Sequence, residues 1–426
     1  MKHKKLLLAT LFIPLLVGHA GCTTSPEAEI PEGAYGYGDD RNSDIQEPGL
    51  RIAALDYNLG DLTDPSELAK YTRADILIVA TWQVWDYAKD INLIRAANPD
   101  LKILAYFRTK CIRSEWSIPP ATGRRYTHDL YQAGAPFLSF TTTGDTLSDW
   151  PNALVIDYTN PTARKALLDV FVDYQTHSPF KFDGVFWDYF SKSLWIAPTV
   201  TGMTGEPDMD GDSVPHWDDP DELAAFVAAQ DDFVDEMRAA MGPNFIQIAN
   251  GVRALQDSTF AAKFDGMFYE NFPNQGLVGG PGFRLALDPS VPNNLWAART
   301  WPRTRNGGPW LILSYMHHVG TYLDGDGEYQ TIDGDDLTRA TALLTDATAI
   351  TYEGFGVRDA GVPTVEYGLG QPLGGVVVTG DTYSREFENG RIDLYMGSGD
   401  YPVPFEFTVW EGGRVAHDLD LPTMDR

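Results

Sequence analysis

A chain of 426 residues with 60 acidic against 32 basic side chains, and a formal charge of −28, is a poor ligand for nucleic acid. That binding relies on Lys and Arg neutralising phosphates. The charge also disfavours polyanionic substrates and mildly favours neutral or cationic ones, although solubility outside the cell explains it as well.

The chain opens on an export signal. Lys2, Lys4 and Lys5 precede the apolar run Leu6–Val17, which is too short to span a bilayer comfortably. Ala20-Gly21-Cys22 follows, and small residues directly before a cysteine resemble the bacterial lipoprotein cleavage box. Cys22 is then the expected lipidated N-terminus, placing the protein in the cell envelope, at the outer membrane or cell surface. Ordinary secretory cleavage nearby is the alternative. Thr23–Pro48, rich in Pro, Gly, Ser and acids, reads as a flexible tether. The other cysteine, Cys111, has no partner for an internal disulfide and reads as a packed apolar group.

From Leu50 apolar strands alternate with helical patterns, the signature of a parallel α/β fold. The expected strands are Ile52–Asp56, Ile76–Ala80, Ile103–Phe107, Gly184–Asp188, Phe245–Ala249, Gly266–Glu270, Trp310–Tyr315 and Ala349–Tyr352. Eight is the number that closes a (β/α)8 TIM barrel. An open doubly wound sheet is the alternative, but Asp56-Tyr57-Asn58 stands where such a sheet carries a glycine-rich turn. Asn160-Pro161 and Asp219-Pro220 signal helix starts. Three connections, Thr109–Pro151, Ser191–Asp218 and Asn271–Pro309, are long and all fall on the C-terminal face, where they would wall a cleft. After about Gly370 short strands and the hairpin signal Asn389-Gly390 predict a small antiparallel β appendage. The expected division is a signal over 1–22, a tether over 23–48, a barrel over 49–372 and an appendage over 373–426. The chain is expected to act as a monomer.

Two stretches repeat one design. FDGVFWDYF (Phe182–Phe190) and FDGMFYENF (Phe264–Phe272) each end an apolar strand on an acid, Asp188 and Glu270. Strands four and six are separated by one strand, so these acids can converge across a barrel mouth. Paired carboxyl groups are what glycoside hydrolysis requires, one to protonate the departing oxygen and one to attack or to activate water. Structural roles for both acids are the alternative. Asp56, Tyr57, Arg108, Asp157 and Tyr315 fall at the same level and are candidates for holding a sugar, as is Trp82. His317 and Glu353 also fall there, each more simply structural. Trp82, Trp85 and Trp195 are expected sugar platforms, whereas Trp187 and Tyr269 are expected in the core. The alternating Asp208, Asp210 and Asp212, with Asp219 in twelfth place, match a calcium loop imperfectly, because Ser213 stands where that loop wants glycine. A solvated acidic loop is the simpler account. No cofactor is required by the two-carboxylate chemistry, and calcium here would be structural.

With DYTNPTAR (Asp157–Arg164) and SREFENG (Ser384–Gly390), the two repeats resemble the bacterial barrels of hypothetical glycosyl hydrolase family fifteen. More distantly, the chain is similar to endo-α-1,4-polygalactosaminidase barrels. The resemblance implies a (β/α)8 fold, with a strand-four aspartate as nucleophile and a strand-six glutamate as acid/base, roles that would fall on Asp188 and Glu270. An exported glycoside hydrolase is the first expectation. A glycan-binding lipoprotein without turnover is the second. A metal-assisted esterase, which needs a His/Asp cluster, is the third.

Overall fold

The computed structural model describes residues 51–72, 74–194, 196, 203–270, 295, 300–302, 310–313, 321–323, 329–331, 334–350, 369–380, 382–396, 405–411 and 414–420. The export signal, Cys22, the tether, Trp195, Tyr315, His317 and Glu353 lie outside them.

Parallel strands close into a barrel: β1 (Arg51–Asp56), β2 (Ile76–Ala80), β3 (Lys102–Arg108), β4 (Gly184–Asp188), β5 (Ile246–Asn250), β6 (Gly266–Tyr269), β7 (Trp310–Leu313) and β8 (Thr348–Ile350). Each pairs with the next in sequence, and β8 pairs with β1. Both faces of such a sheet are covered, so both sets of alternating side chains are apolar. One set, including Leu55, Ile78, Leu104, Phe186, Ile248, Phe268 and Ile312, forms a cluster made of barrel residues and fills the lumen. The other, including Val79, Ile103, Val185, Trp187 and Met267, packs with helix residues such as Leu167, Phe171 and Phe233. The two longest helices start where the sequence signals. Asn160 caps α1 (Pro161–His177) through the Thr162 N–H, and Asp219 caps α2 (Pro220–Met241) through the N–H groups of Asp221 and Glu222. Arg164 of α1 is buried and ties the two together, its guanidinium bonding Asp232 and Glu236 of α2.

The Phe-Asp-Gly that opens each repeat belongs to the barrel floor. Asp183 Oδ2 accepts the N–H of Ile103 at 2.8 Å, and Asp265 Oδ2 that of Gln247 at 2.8 Å. Asp75 does the same for Ile52 at 2.6 Å. Each aspartate precedes an even strand and satisfies the first donors of the odd strand before it. Arg95 and Arg238 add ion pairs to Asp183 and Asp265. The glycines that follow admit a close neighbour: a Cβ on Gly184 would lie 2.3 Å from the Ile246 carbonyl oxygen, and one on Gly266 2.3 Å from that of Trp310.

After the barrel, β9 (Val377–Thr379), β10 (Thr382–Phe387), β11 (Gly390–Met396), β12 (Phe405–Glu411) and β13 (Arg414–Asp420) form an antiparallel sheet in sequence order. Arg385, from the SREFENG stretch, is buried and donates to the Leu343 and Leu344 carbonyls at the end of α3 (Gly334–Thr345). It thereby satisfies acceptors that a helix end leaves open.

Gly266→Ala should destabilise the protein by about 1–3 kcal/mol, because the atom in the way is a backbone carbonyl that cannot rotate aside. Denaturant midpoints at constant m-value measure this, and a wild-type midpoint would show that the strands can separate without cost.

Candidate active site

Alternation along each strand decides what reaches the mouth. Asp188 is in phase with Phe186, Glu270 with Phe268, Asn250 with Ile248, and Arg108 with Tyr106 and Leu104, all lumen residues. These side chains therefore point inward where the lumen ends. Asp188 and Arg108 lie directly opposite one another in the β3–β4 register.

One amide nitrogen joins the two acids. Asn250 Nδ2 donates to Asp188 Oδ1 at 3.1 Å and to Glu270 Oε2 at 2.9 Å. The bonded oxygens are therefore at most about 6 Å apart, and the roughly 120° between the two N–H bonds of an amide brings them to about 5 Å. Asp188 Oδ2 accepts a short hydrogen bond from the Tyr106 hydroxyl. Burial and the Asp188 charge push the proton affinities of Tyr106 and Tyr57 up, so both hydroxyls stay protonated and Tyr106 remains a donor. Glu270 has a different environment. Burial first, and then the negative charge of Asp188, raise its carboxyl pKa above the ordinary range, while the Asn250 bond opposes the rise. Donors thus converge on Asp188 while Glu270 holds its proton more tightly, the division of labour that separates an attacking carboxylate from a general acid.

A cavity of about 630 Å³ opens onto Asp188, Asn250 and Glu270, with Arg108, Lys110 and Trp150 in its wall. Lys110 and Trp150 come from the long connection after β3. Trp150 is 46% exposed, an aromatic face available to a sugar ring. Tyr57 packs edge-on against Tyr106 with centroids 4.9 Å apart, and Trp82 stacks beyond it.

Other expected residues sit elsewhere. Asp56 is out of phase with the lumen, fully buried, and accepts from the Asn58 N–H and the Tyr71 hydroxyl. Asp157 accepts from Thr159 and builds the turn into α1. Neither lines the cavity. Trp85 is no sugar platform: its ring packs among Tyr126, Phe171, Tyr174 and Phe182 beneath the helices. Trp187 and Tyr269 are core residues. Cys111 is buried, and burial pushes its thiol up to about 11. Asn250, Tyr106, Lys110 and Trp150 are functional candidates that sequence patterning did not single out. The phase rule finds Asn250 and Tyr106, since both are polar in-phase residues near a strand end.

In the acidic loop, Asp208, Asp210 and Glu222 can bring oxygens within 4.8 Å of one another, as can Asp210, Asp212 and Asp219. Ser213 adopts φ 73°, the left-handed conformation that a glycine would supply there. Asp208 accepts from the Gly211 and Ser213 N–H groups, and Glu222 from Met209 and His216. These bonds build the turn.

The model of hypothetical glycosyl hydrolase family 15 matches residues 95–391. No curated protein matches the chain. Among solved structures, a noncanonic maltogenic alpha-amylase from Thermotoga neapolitana is 10% identical, with 85% of this chain and 86% of that one covered and a TM-score of 0.43. An alpha-galactosidase from Lactobacillus brevis is 11% identical over 88% of this chain and 53% of that one, with a TM-score of 0.39. A cycloisomaltooligosaccharide glucanotransferase from Paenibacillus sp. is 9% identical over 62% and 38%, with a TM-score of 0.37. These likenesses are loose.

A carboxyl whose pKa is raised on folding favours the folded state below its unfolded pKa, and that contribution is lost as pH rises through the folded pKa. Glu270→Gln should therefore stabilise the protein at neutral pH, and the advantage should shrink as pH falls through the carboxyl range. Thermal melts from pH 4 to pH 8 test the sign. A variant less stable than wild type at pH 7 would show that the Glu270 charge is well accommodated.

Proposed function

We propose, from the premise that the chain belongs to hypothetical glycosyl hydrolase family 15, that it is an exported (β/α)8 glycoside hydrolase acting by a two-carboxylate, retaining mechanism. The observation that carries this is the single Asn250 nitrogen bonded to both Asp188 and Glu270. It supports a carboxyl separation near the roughly 5–5.5 Å of retaining enzymes, short of the roughly 6.5–9.5 Å that leaves room for an inverting water.

In the first step Asp188 attacks the anomeric carbon while the Glu270 carboxyl gives its proton to the departing glycosidic oxygen, leaving a glycosyl ester on Asp188. In the second, Glu270, now a carboxylate, takes a proton from water, whose oxygen displaces Asp188. Tyr106, Asn250 and Arg108 hold Asp188 through both steps. Tyr57, Trp82 and Trp150 supply aromatic faces for the sugar.

Purified wild type, Asp188→Asn and Glu270→Gln, assayed against a panel of bacterial and algal polysaccharides, test the assignment. Each variant should lose about 10²–10⁴-fold in turnover, and proton NMR of the first product should show the anomeric configuration of the substrate. Equal turnover by all three would refute the pair. An inverted product would refute the nucleophile role, and glycan binding without turnover would assign the chain to recognition alone.

We also propose that Cys22 carries the lipid that anchors the chain to the envelope. Wild type should partition with membranes, and Cys22→Ser should not. Equal partitioning would remove the anchor.

A further inference from the structure

The residue after the attacking carboxylate has an unusual backbone. Tyr189 sits at φ 75°, a conformation that L side chains other than Asn and Asp rarely adopt and that is costly for a bulky one. It is gripped from both sides. From the β3 side, the Thr109 hydroxyl, with one hydrogen to give, lies 2.9 Å from the Asp188 carbonyl oxygen and 3.1 Å from that of Tyr189. From the β5 side, the Phe190 N–H donates to the Asn250 carbonyl at 2.8 Å, and the Arg253 N–H to the Phe190 carbonyl at 3.1 Å. Gly251 lets these segments meet, since a Cβ there would lie 2.1 Å from the Phe190 oxygen.

The Tyr189 ring is held separately. Lys110 Nζ lies 3.2 Å from the ring centroid and 3.3 Å from Asp149 Oδ2. Lys110 and Asp149 are only 4% and 5% exposed as side chains. A buried ion pair is a weak source of stability, and in this one the buried Asp149 Oδ1 has no hydrogen-bond partner among the described residues. A costly pair pressed on a strained residue beside the reacting acid points to the site rather than to folding.

We infer that Lys110, with Asp149, is a positioning residue for Asp188, acting through the left-handed Tyr189. The inference rests on the reading of Asp188 as the attacking carboxylate. The ring contact fixes the turn, and the turn aims the carboxylate between Asn250 and the Tyr106 hydroxyl.

Glu270 reports on this without any substrate, because the nearby Asp188 charge is part of what raises its proton affinity. The probe is the ¹³C carboxyl signal of Glu270, identified by its loss in Glu270→Gln. The double variant Lys110→Met/Asp149→Asn removes a neutral pair, so its direct field on Glu270 changes little. If Asp188 swings away from Asn250, the Glu270 midpoint falls in the direction of Asp188→Asn, by about half a pH unit or more. Tyr189→Gly, which adopts the same φ without strain, should give a similar fall while its Tm stays within a few degrees of wild type. Joining the two changes should add nothing further, because both act through one turn. Lys110→Arg, which keeps charge and ring contact, should keep the wild-type midpoint.

A wild-type midpoint in the folded double variant overturns the inference, as do falls that add in full. Should the double variant fail to fold, Tyr189→Gly against Lys110→Arg decides on the same signal. A protein that cleaves no glycan yet shows these shifts loses the hydrolase reading and keeps this role for Lys110. A hydrolase whose Glu270 signal ignores the pair keeps its chemistry and loses this role.

Discussion

Closing a parallel sheet into a ring allows each strand side chain only two directions, lumen or helix layer. The site follows from that constraint. Phe186 fills the lumen and Trp187 the helix layer, so Asp188 is returned to the lumen axis where the apolar filling stops. The same count on β5 and β6 delivers Asn250 and Glu270 to the same level. Strand phase brings three polar side chains from neighbouring strands to one level. The strands that bury the core are the ones that aim the chemistry.

Convergence alone would give two equivalent acids, and two equivalent acids would make a poor catalyst. The surroundings break the symmetry. Asp188 receives donors from both flanking strands, the Tyr106 hydroxyl from β3 and the Asn250 amide from β5, with Arg108 opposite it in register. Glu270 receives the Asn250 bond and little else among the described residues, and it lies close enough to Asp188 for one charge to work against the other. Asn250 keeps the acids close without letting them touch, by giving each a separate hydrogen of one nitrogen. A hydroxyl in its place could donate to only one of them.

Much of this is legible in the sequence, and the losses have physical causes. The strands show because apolar runs of that length and composition have one economical fate in an alternating chain. The acids show because each ends such a run. Asp56 looks equivalent but is one residue out of phase, and a single step along a strand exchanges lumen for helix layer. Trp85 looks like Trp82, but its ring packs among Tyr126, Phe171, Tyr174 and Phe182, whereas that of Trp82 stacks on Tyr57. The Lys110–Asp149 pair is beyond such reasoning, because its members are 39 residues apart and meet through a small three-stranded sheet formed within the connection after β3.

The repeated stretch also shows how one short motif serves two ends of a fold. At its start, Phe-Asp-Gly is structural: a buried ring, a carboxylate that satisfies an N–H of the strand before it, and a glycine that lets the strand after it close in. The bonds made there tie neighbouring strands together, although Asp265 Oδ1 has no hydrogen-bond partner among the described residues. Four residues further along, the signs reverse. Glu270 is harder to ionise than a free carboxyl, Tyr189 is held at a strained φ, and Asp149 is buried with an oxygen unpaired. These three lie at the C-terminal rim, with a layer of lumen side chains between them and the stitched floor. A barrel can keep a strained mouth because the contacts that keep it closed are made at the other end.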